Sequence, residues 1–242
     1  MVDGKNKKIN KNKESKMKVI YEDNHIIVVE KIINIPSQSD KTGDKDMLTI
    51  IKEYLKEKYQ KPGNVYLGLV HRLDRPVGGV MVFAKTSKAA SRLSEEVRNK
   101  TFKKEYLVIC NGKMEKDKDT FVDYLWKDEK NNTSYVVKST KKNAKEAILD
   151  YEVLGYNEKE NISILKIDLH TGRHHQIRVQ LSSRMHAIYG DNKYHGRGAN
   201  TGICLWAYKL TFIHPTTKEK MVFTDLPEPK GMWKLLEKYK IN

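Results

Sequence analysis

The chain has two cysteines in 242 residues, Cys110 and Cys204, and they form no Cys-x-x-Cys pair. That scarcity speaks against a disulfide framework and a thiolate metal site, and makes a reducing cytoplasm the expected compartment. No apolar run approaches the length that spans a bilayer. The Lys- and Asn-rich stretch from Met1 to Lys18 lacks the apolar segment of a secretory signal. A glycine-rich nucleotide-binding motif is missing, as is any spacing of His and Cys suited to a metal. The grouped carboxylates of a metal-assisted hydrolase are missing too.

What the chain has in excess is positive charge: 46 Lys and Arg against 31 Asp and Glu, a formal net charge of +15. A surplus of this size attracts polyanions through long-range fields. The lysines are spread along the chain and not gathered on one amphipathic helix, which favours nucleic acid over a membrane surface. Lys, Asn and Ile are all abundant, as an AT-rich genome would produce, but that bias does not explain why Lys so outruns Glu. The length allows one large domain or two small ones with a sizeable core. Residues 1–17 read as a basic, disordered arm and 18–242 as one domain.

Val19–Tyr21 and Ile26–Val29 read as strands turned at Asp23-Asn24. Asp46 is placed to cap a helix in which Leu48, Ile51, Leu55 and Tyr59 recur at helical spacing. Tyr66–Val70 reads as a strand. Ser87 is a candidate cap for a helix to Asn99, with Ala90, Leu93 and Val97 on one face. Strands are expected over 103–110, 119–126, 133–139, 145–155, 161–169, 203–213 and 219–223. A helical segment from His174 to about Arg184 and a closing helix bearing Trp233, Leu236 and Tyr239-Lys240 complete the pattern. Many strands with few helices and hairpin-like connections predict an α+β domain with a mixed, largely antiparallel sheet.

One stretch organises the rest: His71-Arg72-Leu73-Asp74-Arg75-Pro76-Val77-Gly78-Gly79, followed by the apolar run Val80–Ala84 and Lys85. Pro76 fixes its own φ and pushes Arg75 toward extended geometry, while the glycines permit a turn or a close backbone approach. Asp74 therefore sits on a stiff loop that feeds a core strand. A guanidinium beside a carboxylate favours its ionised form, and an ionised carboxylate on a rigid loop can act as nucleophile or base. For an arbitrary Arg-x-Asp-Arg, a surface ion pair is the commoner use.

The motif His-Arg-Leu-Asp-Arg, with Gly79 and a strand ending in Ala84-Lys85, resembles the signature of the RluA-type pseudouridine synthases. Three further stretches fall in that family's order, so the resemblance runs from about Val19 to Pro227. They are Lys104-Glu105-Tyr106, then Thr171-Gly172-Arg173-His174-His175-Gln176-Ile177-Arg178. The last is Tyr189-Gly190-Asp191-Asn192-Lys193-Tyr194 with Leu205-Trp206-Ala207 and His214-Pro215. There are two departures: Val77-Gly78 stands where the family commonly has Thr-Ser, and Trp206 where it commonly has His.

The resemblance implies an α+β pseudouridine synthase fold and a cofactor-independent isomerase, with 18–242 as the catalytic domain and no separate RNA-binding module before it. In this reaction the N1–C1′ bond of a uridine breaks, the uracil turns, and C5 joins C1′, with no metal or cofactor required. It implies Asp74 as nucleophile, at C1′ or at C6, Arg178 as its partner through a bidentate pair, and Tyr106 stacking on the uracil. Proton abstraction is a second role for Tyr106, and Leu205 lines the other face of the base. Arg173, His175 and Gln176 have the right types for phosphate or ribose contact at a helix start, and Arg72 for a phosphate or the neighbour of a flipped nucleotide. His71 reads as a residue that stabilises its own loop, and Tyr194 as structural. Lys103-Lys104 and Lys141-Lys142 read as solvated edges, or else as part of a phosphate track. Chelation by His174 and His175 is disfavoured because adjacent side chains on a helix diverge. The expected partner is structured rRNA or tRNA, bound by a monomer, with uridines in loops or bulges favoured because flipping them costs less. Loops 38–46 and 191–202 are candidates for substrate choice. The competing expectation is a catalytically idle RNA-binding module of ribosome assembly.

Overall fold

The computed structural model describes residues 17–198, 201–239 and 241. The basic arm expected over 1–17, save its last residue, lies outside them, as do Lys240 of the expected closing helix and positions 199 and 200 of the 191–202 loop. Strands β1 (Val19–Glu22) and β2 (Ile26–Lys31) form a hairpin, followed by α1 (Met47–Lys58) and the short β3 (Gly68–Leu69). Next come β4 (Gly78–Ala84), α2 (Ser87–Arg98), β5 (Lys103–Asn111), β6 (Lys118–Asp128) and β7 (Thr133–Val137). Then follow β8 (Lys145–Asn157), β9 (Ile162–Leu169), α3 (Gln176–Ser182), β10 (Leu205–Ile213) and β11 (Lys220–Thr224). Short 3₁₀ segments cover Asn192–Tyr194 and Gly231–Lys238.

Among the described residues these strands make one 11-stranded sheet whose path is β1-β2-β4-β10-β5-β9-β8-β6-β7, with β11 beside β10 and β3 beside β4. Within it β4 and β10 run parallel; the sheet is mixed and largely antiparallel, and the domain is α+β as expected. Its centre is buried on both faces because the strands alternate. Ile27 and Val29 of β2 and Met81 and Phe83 of β4 pack with Met47, Ile51 and Leu55 of α1. Ile26, Val28, Val80, Val82 and Ala84 face the opposite side, with Ala89 and Leu93 of α2. Helix α1 starts where Asp46 accepts a hydrogen bond from the Thr49 N–H at 3.0 Å. No described helix is long and apolar enough to cross a membrane.

Three local expectations shift. The cap of α2 is Thr86, not Ser87, because the Thr86 hydroxyl reaches the Ala89 N–H. Only Gly68 and Leu69 of the stretch 66–70 pair with β4. Helix α3 begins at Gln176 and not at His174, because His175 takes a left-handed conformation, φ 53°, at its start. The parallel contact needs a glycine: Gly79 has φ +118°, and a Cβ there would lie 2.2 Å from the Ala207 carbonyl oxygen. That contact joins the strand after Asp74 to the strand that begins with Leu205.

Candidate active site

A cleft of about 1000 Å³ is lined by the loop that leads into β4, by β5 and the start of β10, and by the turn into α3. Asp74, Arg72, Tyr106, Arg173, His175, Gln176, Arg178 and Leu205, taken from four separate stretches of sequence, all line it. Asp74 is held by its loop. The Ser37 hydroxyl accepts from the Leu73 N–H at 3.1 Å and donates to the Leu73 carbonyl at 2.8 Å. On the other side of Asp74, the ammonium of the wholly buried Lys31 donates to the carbonyls of Arg75, Val77 and Ile32 at 2.9, 2.7 and 3.1 Å. The Val77 N–H closes the turn onto the Asp74 carbonyl at 3.0 Å. Burial, together with the positive charge of Arg75 and against the attraction of Asp74, pushes the Lys31 amine down to about 7.

The two arginines flanking Asp74 do not pair with it. Arg75 turns to the 40–44 loop, where it meets the Thr42 hydroxyl, the Asn34 carbonyl and the Asp40 and Asp44 carboxylates. Arg72 is exposed along the cleft. The partner of Asp74 is Arg178, whose Nη1 donates to Asp74 Oδ2 at 3.0 Å. The expected bidentate pair is formed with a different carboxylate: Arg178 Nε and Nη2 donate to Asp191 at 2.7 and 2.8 Å. Burial works against the charge on Arg178, but Asp191 and then Asp74 more than offset it, so its pKa is raised. Asp191 belongs to the Gly-Asp-x-x-Tyr turn and its type does not mark it, since a turn aspartate reads as a capping residue; it does also accept from the Lys193 N–H.

His175 is 8% exposed and sits between Tyr194 and Asp74. The Tyr194 oxygen accepts from the Ser134 N–H at 2.8 Å, so its hydroxyl is free to donate to His175 Nδ1, 2.9 Å away. That arrangement leaves the imidazole proton on Nε2, which faces Asp74 Oδ2 at 3.6 Å. Burial, Arg178 and His174 push the His175 pKa down to about 2, so the ring is neutral. The rings of His174 and His175 do not diverge as helix neighbours would; they stack at 3.7 Å because both precede α3. His174 Nδ1 goes instead to the Ser134 hydroxyl. Among the described residues no three His, Cys, Asp or Glu side chains are grouped as a metal site requires.

Gln176 faces the loop more than the opening. Its Oε1 accepts from the Thr171 hydroxyl and the Arg173 N–H, and its Nε2 donates to the Ile148 carbonyl. Arg173 is exposed, with its Nε on the Glu146 carbonyl at 2.7 Å. Tyr106 and Leu205 lie on the neighbouring strands β5 and β10, 6% and 5% exposed, where Tyr106 pairs with Ala207 two residues after Leu205. Side chains two apart on a strand share a face, so ring and isobutyl group look into the same cleft. Burial and then the negative charge of Asp74 raise the pKa of the Tyr106 phenol, which stays protonated at neutral pH. His71 Nε2 accepts from the Val82 N–H at 3.2 Å. Burial, helped by Lys104, pushes its pKa down to about 3, in keeping with a neutral loop-holding ring.

The two departures in the sequence pattern meet in space. A Cβ at Gly78 would lie 2.3 Å from the Trp206 ring, and the Trp206 Nε1 donates to the Asp225 carbonyl at 2.9 Å. The indole therefore occupies the room that any larger residue 78 would fill, on a side of β10 that does not line the cleft.

The family model described as RNA pseudouridylate synthase matches residues 25–183. The uncharacterized RNA pseudouridine synthase YhcT of Bacillus subtilis (strain 168) is 31% identical over 223 residues, covering 91% of this chain and 72% of the relative. An uncharacterized RNA pseudouridine synthase of Aquifex aeolicus (strain VF5) is 34% identical over 237 residues, with 91% and 73% covered. Among solved structures, human RNA Pseudouridylate Synthase Domain Containing 4 superposes with a TM-score of 0.72 at 20% identity, over 87% of this chain and 89% of that one. The last comparison concerns the fold alone.

Proposed function

The chain belongs to the RNA pseudouridylate synthase family, of RluA type, whose members are cofactor-independent isomerases that turn uridine in RNA into pseudouridine; we propose that it does so with Asp74 as nucleophile on a structured ribosomal or transfer RNA. The observation that carries the reading is the carboxylate of Asp74, its side chain 26% exposed, lining the cleft with Arg178 on it at 3.0 Å. A pinned loop, a buried cation and an opening of this size give a carboxylate a fixed aim at a bound nucleoside.

In this reading a uridine leaves its stack and enters the cleft between the Tyr106 ring and Leu205. Arg178 orients the Asp74 carboxylate, and His175 Nε2–H limits its rotation from the other side. Asp74 forms a covalent bond to the nucleoside, the N1–C1′ bond breaks, the uracil turns so that C5 bonds to C1′, and the C5 proton leaves to solvent as the bond to Asp74 breaks and its carboxylate is restored. Arg72 and Arg173, both exposed, are assigned to the RNA backbone, with His175 and Gln176 holding the loop beneath. Residues 18–242 act as a single catalytic domain.

The test uses the hydrogen lost from C5. RNA labelled with tritium at uridine C5, prepared from cells lacking the enzyme and split into ribosomal and transfer fractions, is incubated with wild type and with Asp74→Asn. The expected result is tritium release from one fraction by wild type alone, with RNA binding retained by the variant because phosphate contacts supply most of the affinity. Binding without release by wild type would replace this reading with an idle RNA-binding module.

A further inference from the structure

Lys104 is a buried cation that the catalytic reading does not use. It lies on β5 two residues before Tyr106, lines the same cleft, and is 8% exposed. The two neighbours on the opposite face are accounted for: Lys103 is exposed, and Glu105 pairs with Lys209 at 3.3 Å. Lys104 itself is not the solvated edge its sequence suggests, because strand alternation sends it inward beside Tyr106. Among the described residues it makes no side-chain hydrogen bond and no ion pair. The opposing charge of Asp168 acts on it only at a distance, and burial lowers its pKa.

Arg72, Arg98 and Lys100 also line the cleft, but they are exposed and solvated; the more buried or tethered cations in and beside it have partners. Lys31 is tied to three carbonyls, Arg178 to two carboxylates, Arg75 to the 40–44 loop and Arg173 to the Glu146 carbonyl. Lys104 Nζ lies over the Thr171-Gly172-Arg173 turn, where a methyl on Gly172 would come within 3.5 Å of it. Gly172 has no Cβ to fill that space, and its N–H makes no hydrogen bond to a described residue. A buried ammonium without a partner costs stability unless a ligand supplies the missing charge.

We propose that Lys104 and the Gly172 turn form the anion subsite of the cleft, taking a phosphodiester oxygen next to the uridine that stacks on Tyr106. Two residues along a strand are about 7 Å apart, the reach of one ribose between a base and its phosphate. The proposal rests on the reading of the cleft as a uridine site. It assigns Lys104 to binding, with no part in bond making.

The test compares wild type, Lys104→Met and Lys104→Arg in three measurements. These are the urea unfolding midpoint, the half-saturating concentration and maximal rate of tritium release from the labelled total RNA, and the salt dependence of binding that RNA. Removal of an unpaired buried charge is expected to leave the Lys104→Met midpoint unchanged or raised. Its half-saturating RNA concentration should rise at least tenfold with little change in maximal rate. The slope of log affinity against log salt should fall by about 0.7, the share of one single-strand phosphate contact, and Lys104→Arg should recover most of both. An unchanged slope, or a half-saturation within twofold of wild type, overturns the subsite. If wild type releases no tritium, the uridine reading fails on its own, and the salt slope alone then decides for or against Lys104.

Discussion

The double role of Arg178 makes opposite predictions for its two carboxylates. Asp191 is 2% exposed and receives two guanidinium bonds, at 2.7 and 2.8 Å, from a side chain whose residue is itself 5% exposed. Asp191→Asn keeps the shape but turns an amide N–H₂ toward a guanidinium N–H and removes the charge that compensates Arg178. Breaking a buried pair from one side costs about 3–5 kcal/mol, and for a chain of this length that lowers Tm by about 10 °C. Asp74 receives one bond and is more open, so Asp74→Asn leaves Arg178 fully paired with Asp191. Its cost should be about 1 kcal/mol, that of one exposed-side hydrogen bond. The rates should run the other way: no tritium release from Asp74→Asn, and a loss of about 100-fold in Asp191→Asn, as a displaced guanidinium lets the nucleophile drift. Urea unfolding followed by tryptophan fluorescence and single-turnover tritium release measure the two effects. The reasoning is refuted if Asp74→Asn is the more destabilising of the two, or if Asp191→Asn keeps wild-type rate and midpoint.

Three further outcomes follow from the same geometry. Lys31→Met leaves the Arg75 and Val77 carbonyls without their donor and should reduce single-turnover rate at least tenfold; a wild-type rate would show that the loop holds itself. Because burial puts the folded Lys31 at about 7, below its unfolded value of 10.5, the unfolded chain holds a proton that the folded one lacks between those values. Wild type should therefore gain stability relative to Lys31→Met as pH rises above 7, by up to about 1.4 kcal/mol per pH unit, and a difference that stays flat from about pH 7 to 9 in urea unfolding would contradict it. Gly78→Ser should destabilise strongly against the Trp206 ring, and Trp206→His should restore part of the loss; a double-mutant cycle with no coupling beyond about 0.5 kcal/mol would separate the two positions.

The residues legible in the sequence were those whose type and order fit the proposed chemistry. Asp74, Tyr106, Arg178 and Leu205 converge on one cleft although they come from four separate stretches, and β4, β5, α3 and β10 stand close to where apolar periodicity put them. What stayed hidden depended on which way a polar side chain turns. Arg75 is adjacent to Asp74 in sequence, yet it sits within the turn closed by the Val77 N–H on the Asp74 carbonyl, and its side chain goes to the 40–44 loop. Asp191 takes the bidentate pair because α3 and the 3₁₀ turn meet, a contact no local pattern encodes. Lys31 and Lys104 look like solvent lysines by composition. Their strand phase says otherwise: Lys31 follows Ile27 and Val29 on one face, and Lys104 shares a face with Tyr106, so period-two alternation was the available signal.

That Arg178 is anchored by Asp191 has a consequence for the proposed chemistry. When Asp74 bonds to the nucleoside it ceases to be a carboxylate anion. A guanidinium compensated only by Asp74 would then become an unpaired buried charge, and its cost would fall on the covalent state. Asp191 removes that cost, since Arg178 stays paired through Nε and Nη2 whether or not Asp74 is charged. Arg178 can thus aim the carboxylate before attack without opposing its neutralisation afterwards. One hydrogen bond to Asp74 and two to Asp191 suit the proposed reaction, and exchanging them, with the fork on Asp74, would hold the proposed nucleophile more tightly in the free enzyme and slow its transfer.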